Sequence, residues 1–231
     1  MTTFDPYASS RETTEGTVFS VTGGDWDSLV SEIGESKEER IIVNMGPQHP
    51  STHGVLRLVL ELEGETVTEV RTGIGYLHTG IEKNIEFRNW TQAVTFVTRM
   101  DYLSPIFNET AYCLAVEKLL GIEAPPRAQY IRTLLSELAR ISSHLVAFGV
   151  MAMDVGAMTL LLWCFREREK ILDLFEAVTG ARMMCNFMRF GGCRCDFPAG
   201  WLERAREVVG DFPRFLDEFE TLLMENEILM A

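Results

Sequence analysis

The leucines at 56, 58, 60 and 62 fall at every second position of Val55–Leu62, so an extended chain carries them on one face and a strand is predicted. Ile41–Asn44 reads as a short strand before it. Glu63-Gly64-Glu65 makes a turn, and Thr66–Arg71 returns as the next strand. After Gly73-Ile74-Gly75 the spacing of apolar positions becomes helical. Ser104-Pro105 sets a helix start, as N-cap and first-turn proline, and Gly121 ends that helix after Leu119-Leu120. Pro125-Pro126 breaks the chain. The next helix carries Ile131, Leu134, Leu135, Leu138, Ile141, Leu145 and Phe148 as one stripe and is expected to stop at Gly149. Another runs from about Ala157 to Val178 and ends at Gly180. A glycine-rich loop, Phe190–Pro198, leads to a last amphipathic helix from near Ala199 that is expected to reach residue 231.

The architecture so predicted is α+β, a small and mainly antiparallel sheet followed by a helical bundle. Its parts are a flexible acidic arm over 1–40, with a short helix after the Gly24-Asp25 turn, a β subdomain over 41–75 and a helical domain over 76–231. Leu145–Phe165 is apolar apart from Asp154, a 21-residue run that tests for a membrane span. A span would place Asp154 near mid-membrane, at a cost of roughly 2.5–3.5 kcal/mol. Two buried helices meeting between Gly149 and Gly156 are expected instead, in a soluble and deeply packed region with no transmembrane span.

Charge narrows the function classes. The net charge is −13, and residues 1–40 hold nine acidic and three basic residues, nearly half of the imbalance. Phosphates repel such a surface, so no nucleic-acid partner is expected. Five scattered cysteines without a CxxC pair argue for a reducing compartment rather than a disulfide framework. The opening residues lack a basic region and an apolar core, so no signal peptide is expected.

The richest candidate chemistry lies in Gly46-Pro47-Gln48-His49-Pro50-Ser51-Thr52-His53-Gly54, which places two of four histidines on a proline-pinned turn before a strand. Imidazole is the side chain whose unperturbed pKa lies nearest neutrality, which suits proton handling or ligand contact. The residues alone leave three readings open: ligand contact, capping of the loop backbone, and metal binding. Pro50 and the absence of a nearby third ligand disfavour the last. Tyr102 precedes a helix start in Arg99–Pro105. Asp154, inside the apolar run, needs pairing, protonation or solvation, or else caps the following helix. Cys185, Cys193 and Cys195 match no common cluster spacing. Gly191-Gly192 lacks the strand and lysine of a phosphate loop.

GPQHPSTHGVLRLVLELEGE (46–65), IGYLHTGIEK (74–83), RMDYLS (99–104), NETAYCLAVEKLLGIEAPPRAQYIR (108–132) and MDVGAMT (153–159) occur in this order. Together they resemble the 49 kDa, or D-type, subunit family of proton-pumping NADH-quinone oxidoreductase, over about residues 41–225. The resemblance implies a fold related to the large subunit of nickel–iron hydrogenases. The segments matching the hydrogenase metal motifs, Leu77–Glu82 and Arg99–Leu103, contain no cysteine, so no resident metal is expected.

What the resemblance implies is a translocase subunit, inactive in isolation, that is peripheral on the cytoplasmic side of the bacterial cell membrane. The implied partners are a B-type iron–sulfur subunit, a C-type (30 kDa) subunit and membrane-arm subunits. NADH, FMN and the iron–sulfur clusters would be handled by those partners, with quinone as the substrate at a shared site. By motif position, His53 and Tyr102 match residues beside the two quinone carbonyls. Asp154 matches the acid that hydrogen-bonds the histidine, and Arg99 matches an arginine near the partner's cluster, although a salt bridge to Asp101 or Glu109 is the alternative for Arg99. Departures are Thr79, where many relatives carry arginine, Met184, where many carry histidine, and the Phe190–Cys195 loop. Family members continue past residue 231, so a C-terminally shortened chain is expected. The alternatives are a hydrogenase-like large subunit or a non-catalytic scaffold.

Overall fold

The computed structural model describes residues 40–226. The acidic arm, its short helix and Glu227–Ala231 lie outside the described residues. The chain divides into two compact units, Met1–His78 and Thr79–Ala231.

The first unit holds a three-stranded antiparallel sheet in the order β1 (Arg40–Met45), β2 (Arg57–Glu63) and β3 (Thr66–Gly73). Gly64 at φ +61° and Glu65 form the two-residue reversal from β2 to β3, at a position where a side chain would be strained. A bulge follows, where the register shifts at Glu61/Leu62 and the Thr68 hydroxyl donates to the Glu61 carbonyl at 3.1 Å. The expected alternation gives the strand but not a sealed face: β2 is half-buried along nearly its whole length and β3 is mostly exposed.

The second unit is helical. Its elements are α1 (Ile81–Ile85), α2 (Trp90–Val97), α3 (Pro105–Leu120), α4 (Pro126–Asp154), α5 (Met158–Thr179), the short hairpin β4 (Met188–Arg189) and β5 (Gly192–Cys193), and α6 (Trp201–Met224). The Asn89 and Gln92 side chains close a capping box on α2. Pro105 opens α3 with Ser104 as N-cap, although the Ser104 hydroxyl makes no capping bond, and Gly121 ends the helix in the left-handed region. One core joins α3 to α6 and the hairpin through Ile106, Leu135, Ile171, Leu174, Phe187 and Trp201. The Trp201 indole N–H donates to the Leu174 carbonyl at 2.9 Å, which ties α6 to α5.

Three expectations are corrected. Helix α4 does not stop at Gly149 but continues to Asp154. Gly149 is a packing residue: a Cβ there would lie 3.1 Å from Cys164 Cβ and 3.2 Å from Leu161 Cδ1 of α5, so glycine lets the two helices approach closely. The region is also not deeply packed throughout. Phe148, Met151, Val155, Met158, Leu162 and Phe165 are exposed around the α4–α5 reversal, because only the opposite face meets the core. Finally, α6 ends at Met224 with Glu225 as C-cap, short of the expected run to 231.

Among the described residues, one helix, Pro126–Asp154, is long and apolar enough to cross a membrane. Its buried face also carries Arg132, Ser136 and Ser142 and packs within the unit, as a core helix does.

Candidate functional site

The histidine loop is built from hydrogen bonds local to Gly46–Leu56. Thr52 sits at its centre, 1% exposed, with its hydroxyl donating to the His49 carbonyl at 3.0 Å. The same carbonyl accepts the Thr52 and Gly54 N–H groups, each at 3.1 Å, around a 3-10 turn over Pro50–Thr52. Gly46, at φ +80°, lies so close to the end of the loop that a Cβ would stand 2.1 Å from the Leu56 carbonyl oxygen. His49 and His53 then diverge in role. The His49 Nδ1 accepts the Ser51 N–H at 3.1 Å, so His49 caps the turn backbone, one of the readings its sequence left open. His53 closes the turn in the left-handed region at φ +51° and is exposed. For a non-glycine residue that conformation is uncommon, and it persists only where the surrounding bonds over-determine it.

Tyr102 and Arg99 share the connection between α2 and α3. The side-chain amide of Asn108 donates to the Asp101 carbonyl at 3.0 Å and to the Thr98 carbonyl at 3.4 Å, while Asp101 Oδ1 accepts the Leu103 N–H at 3.0 Å. The backbone under Tyr102 is thereby fixed, and the Tyr102 side chain stands 51% exposed. The Arg99 guanidinium donates to the Thr95 carbonyl, within its own helical turn. Glu109, weighed as an ion-pair partner for Arg99, points into the core instead.

Asp154 is the last residue of α4 and is exposed, which corrects the expectation of a buried acid. Ala157 is the N-cap of α5 and makes no side-chain capping bond. The carbonyl end of a helix is also electrostatically unfavourable for a carboxylate. His53 belongs to the first unit, and Tyr102, Arg99 and Asp154 to the second.

Among the described residues no three of histidine, cysteine, aspartate and glutamate gather in a way that could hold a metal. Cys185 donates to the Met183 carbonyl at 3.2 Å, and Cys193 and Cys195 face the Ala128 and Val178 carbonyls at 3.8 and 3.6 Å. Burial pushes the Cys185 thiol up to about 11, which keeps it protonated near neutral pH.

The structure also reveals residues whose role the sequence left unread. Glu109 of α3 is fully buried, and its carboxylate accepts the N–H groups of Asn186, Phe187 and Met188 at 2.5, 2.6 and 2.9 Å. Burial raises its pKa and those three bonds oppose the rise. Two turns along the same helix, Glu117 pairs with Arg132 of α4 at 2.6 Å and accepts the Gly191 N–H at 2.7 Å, and the Arg132 bonds hold its pKa below the usual carboxylate range. Arg132 also donates to the Arg189 and Gly192 carbonyls at 2.8 and 2.9 Å. Two acids and one arginine thus hold the whole 186–192 segment. The legible signal was a stripe of Glu109, Cys113 and Glu117 at helical spacing, which places carboxylates on the core face.

Comparison with known proteins agrees with this sequence reading. The family model for the respiratory-chain NADH dehydrogenase 49 kDa subunit matches residues 154–231. A D-type subunit of NADH-quinone oxidoreductase from Streptomyces griseus is 61% identical over 228 residues, 98% of this chain and 52% of that protein. The D-type subunit of Rhodococcus jostii is 60% identical, over 93% of this chain and 51% of its own length. That of Saccharopolyspora erythraea is 62% identical, over 92% and 46%. The chain spans about half the length of the curated relatives it matches. Sustained identity at that level across nearly every element described above places the chain in the family of the 49 kDa, or D-type, subunit of NADH-quinone oxidoreductase.

Proposed function

We propose that this chain is a peripheral subunit of a proton-translocating NADH:quinone oxidoreductase, on the cytoplasmic side of a bacterial membrane, and that it forms the quinone-reduction site with a B-type iron–sulfur subunit. A C-type subunit and membrane-arm subunits complete its surroundings. NADH, FMN and the clusters belong to partners, and the chain brings no redox centre of its own. The observation that carries this reading is identity near 60% over more than nine-tenths of the chain to D-type subunits of NADH-quinone oxidoreductase.

His53, Tyr102 and Asp154 are the residues proposed to act on quinone. Electrons come from the partner's cluster. As they arrive, negative charge develops on the two quinone oxygens, and the His53 imidazole and the Tyr102 hydroxyl stabilise it and deliver protons to them. The exposure of both side chains and the fixed backbone beneath each support that role, since a donor that must meet a substrate cannot be spent inside a core. Asp154 orients the imidazole, and its exposed place at the end of α4 supports such a duty. Arg99 sits toward the partner's cluster, where a fixed positive charge raises its reduction potential.

The test is the assembled enzyme carrying Tyr102→Phe or His53→Ala. Each variant is expected to assemble and to lose quinone reductase turnover by roughly 100-fold or more. Full turnover and affinity in both would reject the assignment. Nickel in the purified enzyme would point instead to a hydrogenase-like subunit.

A further inference from the structure

Glu109 stands where two segments far apart in sequence meet. On one side are the three successive N–H groups of Asn186, Phe187 and Met188. On the other is Thr98, fully buried, whose hydroxyl lies 3.3 Å from Glu109 Oε1 and donates at 2.6 Å to the Val94 carbonyl in the last turn of α2. Thr98 begins the connection that bears Arg99 and Tyr102. Asn108, adjacent to Glu109 on α3, holds the two ends of Thr98–Asp101 through their carbonyls. The connection carrying Tyr102 is therefore tied to Glu109 at its root, and Glu109 is in turn seated on the 186–188 backbone.

The far anchor is not a relaxed one. Asn186 adopts φ +46°, an uncommon conformation for a residue with a side chain, and its side-chain oxygen accepts from Arg189 at 3.2 Å. A left-handed residue followed by two more amides aimed at one side chain needs an acceptor with two oxygens, Oε1 for Asn186 and Oε2 for Phe187 and Met188. Within this unit that acceptor is Glu109. Glutamine, of the same shape, cannot serve, because it offers one oxygen where the segment presents three donors to two.

We propose that Glu109 is a positioning residue for Tyr102, coupling the 186–188 segment through Thr98 to the connection that presents the phenol to quinone. This rests on the quinone reading of Tyr102 given above. A side chain that only fills the core would govern how much folded protein forms. A positioning side chain governs turnover per assembled enzyme, since displacement of a proton donor by a fraction of an ångström costs rate directly.

The experiment uses the complete, membrane-embedded enzyme with Glu109→Gln, Thr98→Val, Thr98→Ser and Tyr102→Phe made separately. For each are read the amount of assembled enzyme, NADH oxidation by a water-soluble artificial acceptor that bypasses quinone, kcat and KM for a short-chain quinone, and amide exchange at 186–188. Glu109→Gln is expected to lower quinone kcat roughly tenfold per assembled enzyme, with the artificial-acceptor rate kept and amide exchange at 186–188 accelerated. Thr98→Val is expected to lower quinone kcat while leaving 186–188 protected, because it removes the Thr98 bonds to Glu109 and to the Val94 carbonyl but leaves the three amide bonds of Glu109 in place. Thr98→Ser, which keeps the hydroxyl, is expected to run several-fold faster than Thr98→Val. If Glu109→Gln fails to assemble, the Thr98 pair decides. Unchanged quinone kcat in Thr98→Val, beside a severe loss in Tyr102→Phe, overturns the coupling and leaves the quinone reading standing. Unchanged kcat in Tyr102→Phe removes the quinone reading itself.

Discussion

Glu109 and Glu117 lie two helical turns apart on one face of α3, and their surroundings drive them in opposite directions. The raised pKa of Glu109 means that its contribution to stability is full below the ordinary carboxylate range and is lost as pH rises through its raised value. The lowered pKa of Glu117 gives a contribution present above the ordinary range and lost as pH falls through its lowered value. Urea midpoints followed against pH should therefore show a shallower acid-side slope in Glu117→Gln and a steeper one in Glu109→Gln. Arg132→Met should cost about 3–5 kcal/mol, because it leaves the Glu117 charge buried without its guanidinium, and the same unfolding curves check it. The sequence offered half of this. Helical spacing puts both carboxylates on the core face, but the N–H groups that satisfy Glu109 lie 77 to 79 residues further along the chain. No local pattern marks which backbone amides will arrive there. The histidine loop was more legible, because its glycines and prolines act on their own neighbours. Only the division of labour between His49, turned inward to Ser51, and exposed His53 needed the folded geometry.

Helix boundaries divide by what their glycines do. Gly121 and Gly180 end α3 and α5 in the left-handed region, a backbone property that sequence reveals well. Gly149 looks the same in sequence, yet it lies inside α4 and serves the contact with Leu161 and Cys164. Such a role belongs to the partner helix, so single-chain periodicity misplaces the helix end by five residues. Gly149→Ile is expected to destabilise the helical unit by about 1–3 kcal/mol through overpacking, although isoleucine is the better helix former. A rise in the urea midpoint on that substitution would contradict close packing at this crossing. Asp154 follows from the same shift. Once α4 runs on past Gly149, its last residue emerges at the surface rather than inside an apolar run.

For the whole chain, the apolar surface left open is as telling as the core. Phe148, Met151, Val155, Met158, Leu162 and Phe165 surround the reversal between α4 and α5, and contiguous exposure of that kind marks a surface meant to be covered. The purified chain alone is expected to self-associate with rising concentration, and Met151→Glu with Leu162→Glu to shift it toward monomer. Light scattering against concentration reads both, and an equally monomeric parent chain would refute it. The fold class and the order of elements were legible because prolines, glycines and periodicity act locally. The assignment to a family was legible because long motifs survive in order. The clamp on 186–192 was not, since it joins α3, α4 and the hairpin across the core.

One consequence of that clamp concerns the solvent rather than the protein. Successive backbone amides converging on a point are the device with which many proteins capture a free anion. In this chain the position is taken by a carboxylate tethered through its own helix. Dilution cannot release it, and phosphate or sulfate in the medium finds no vacancy there to contest. The 186–188 backbone should keep its shape across salts and buffers that would fill or empty an open cradle.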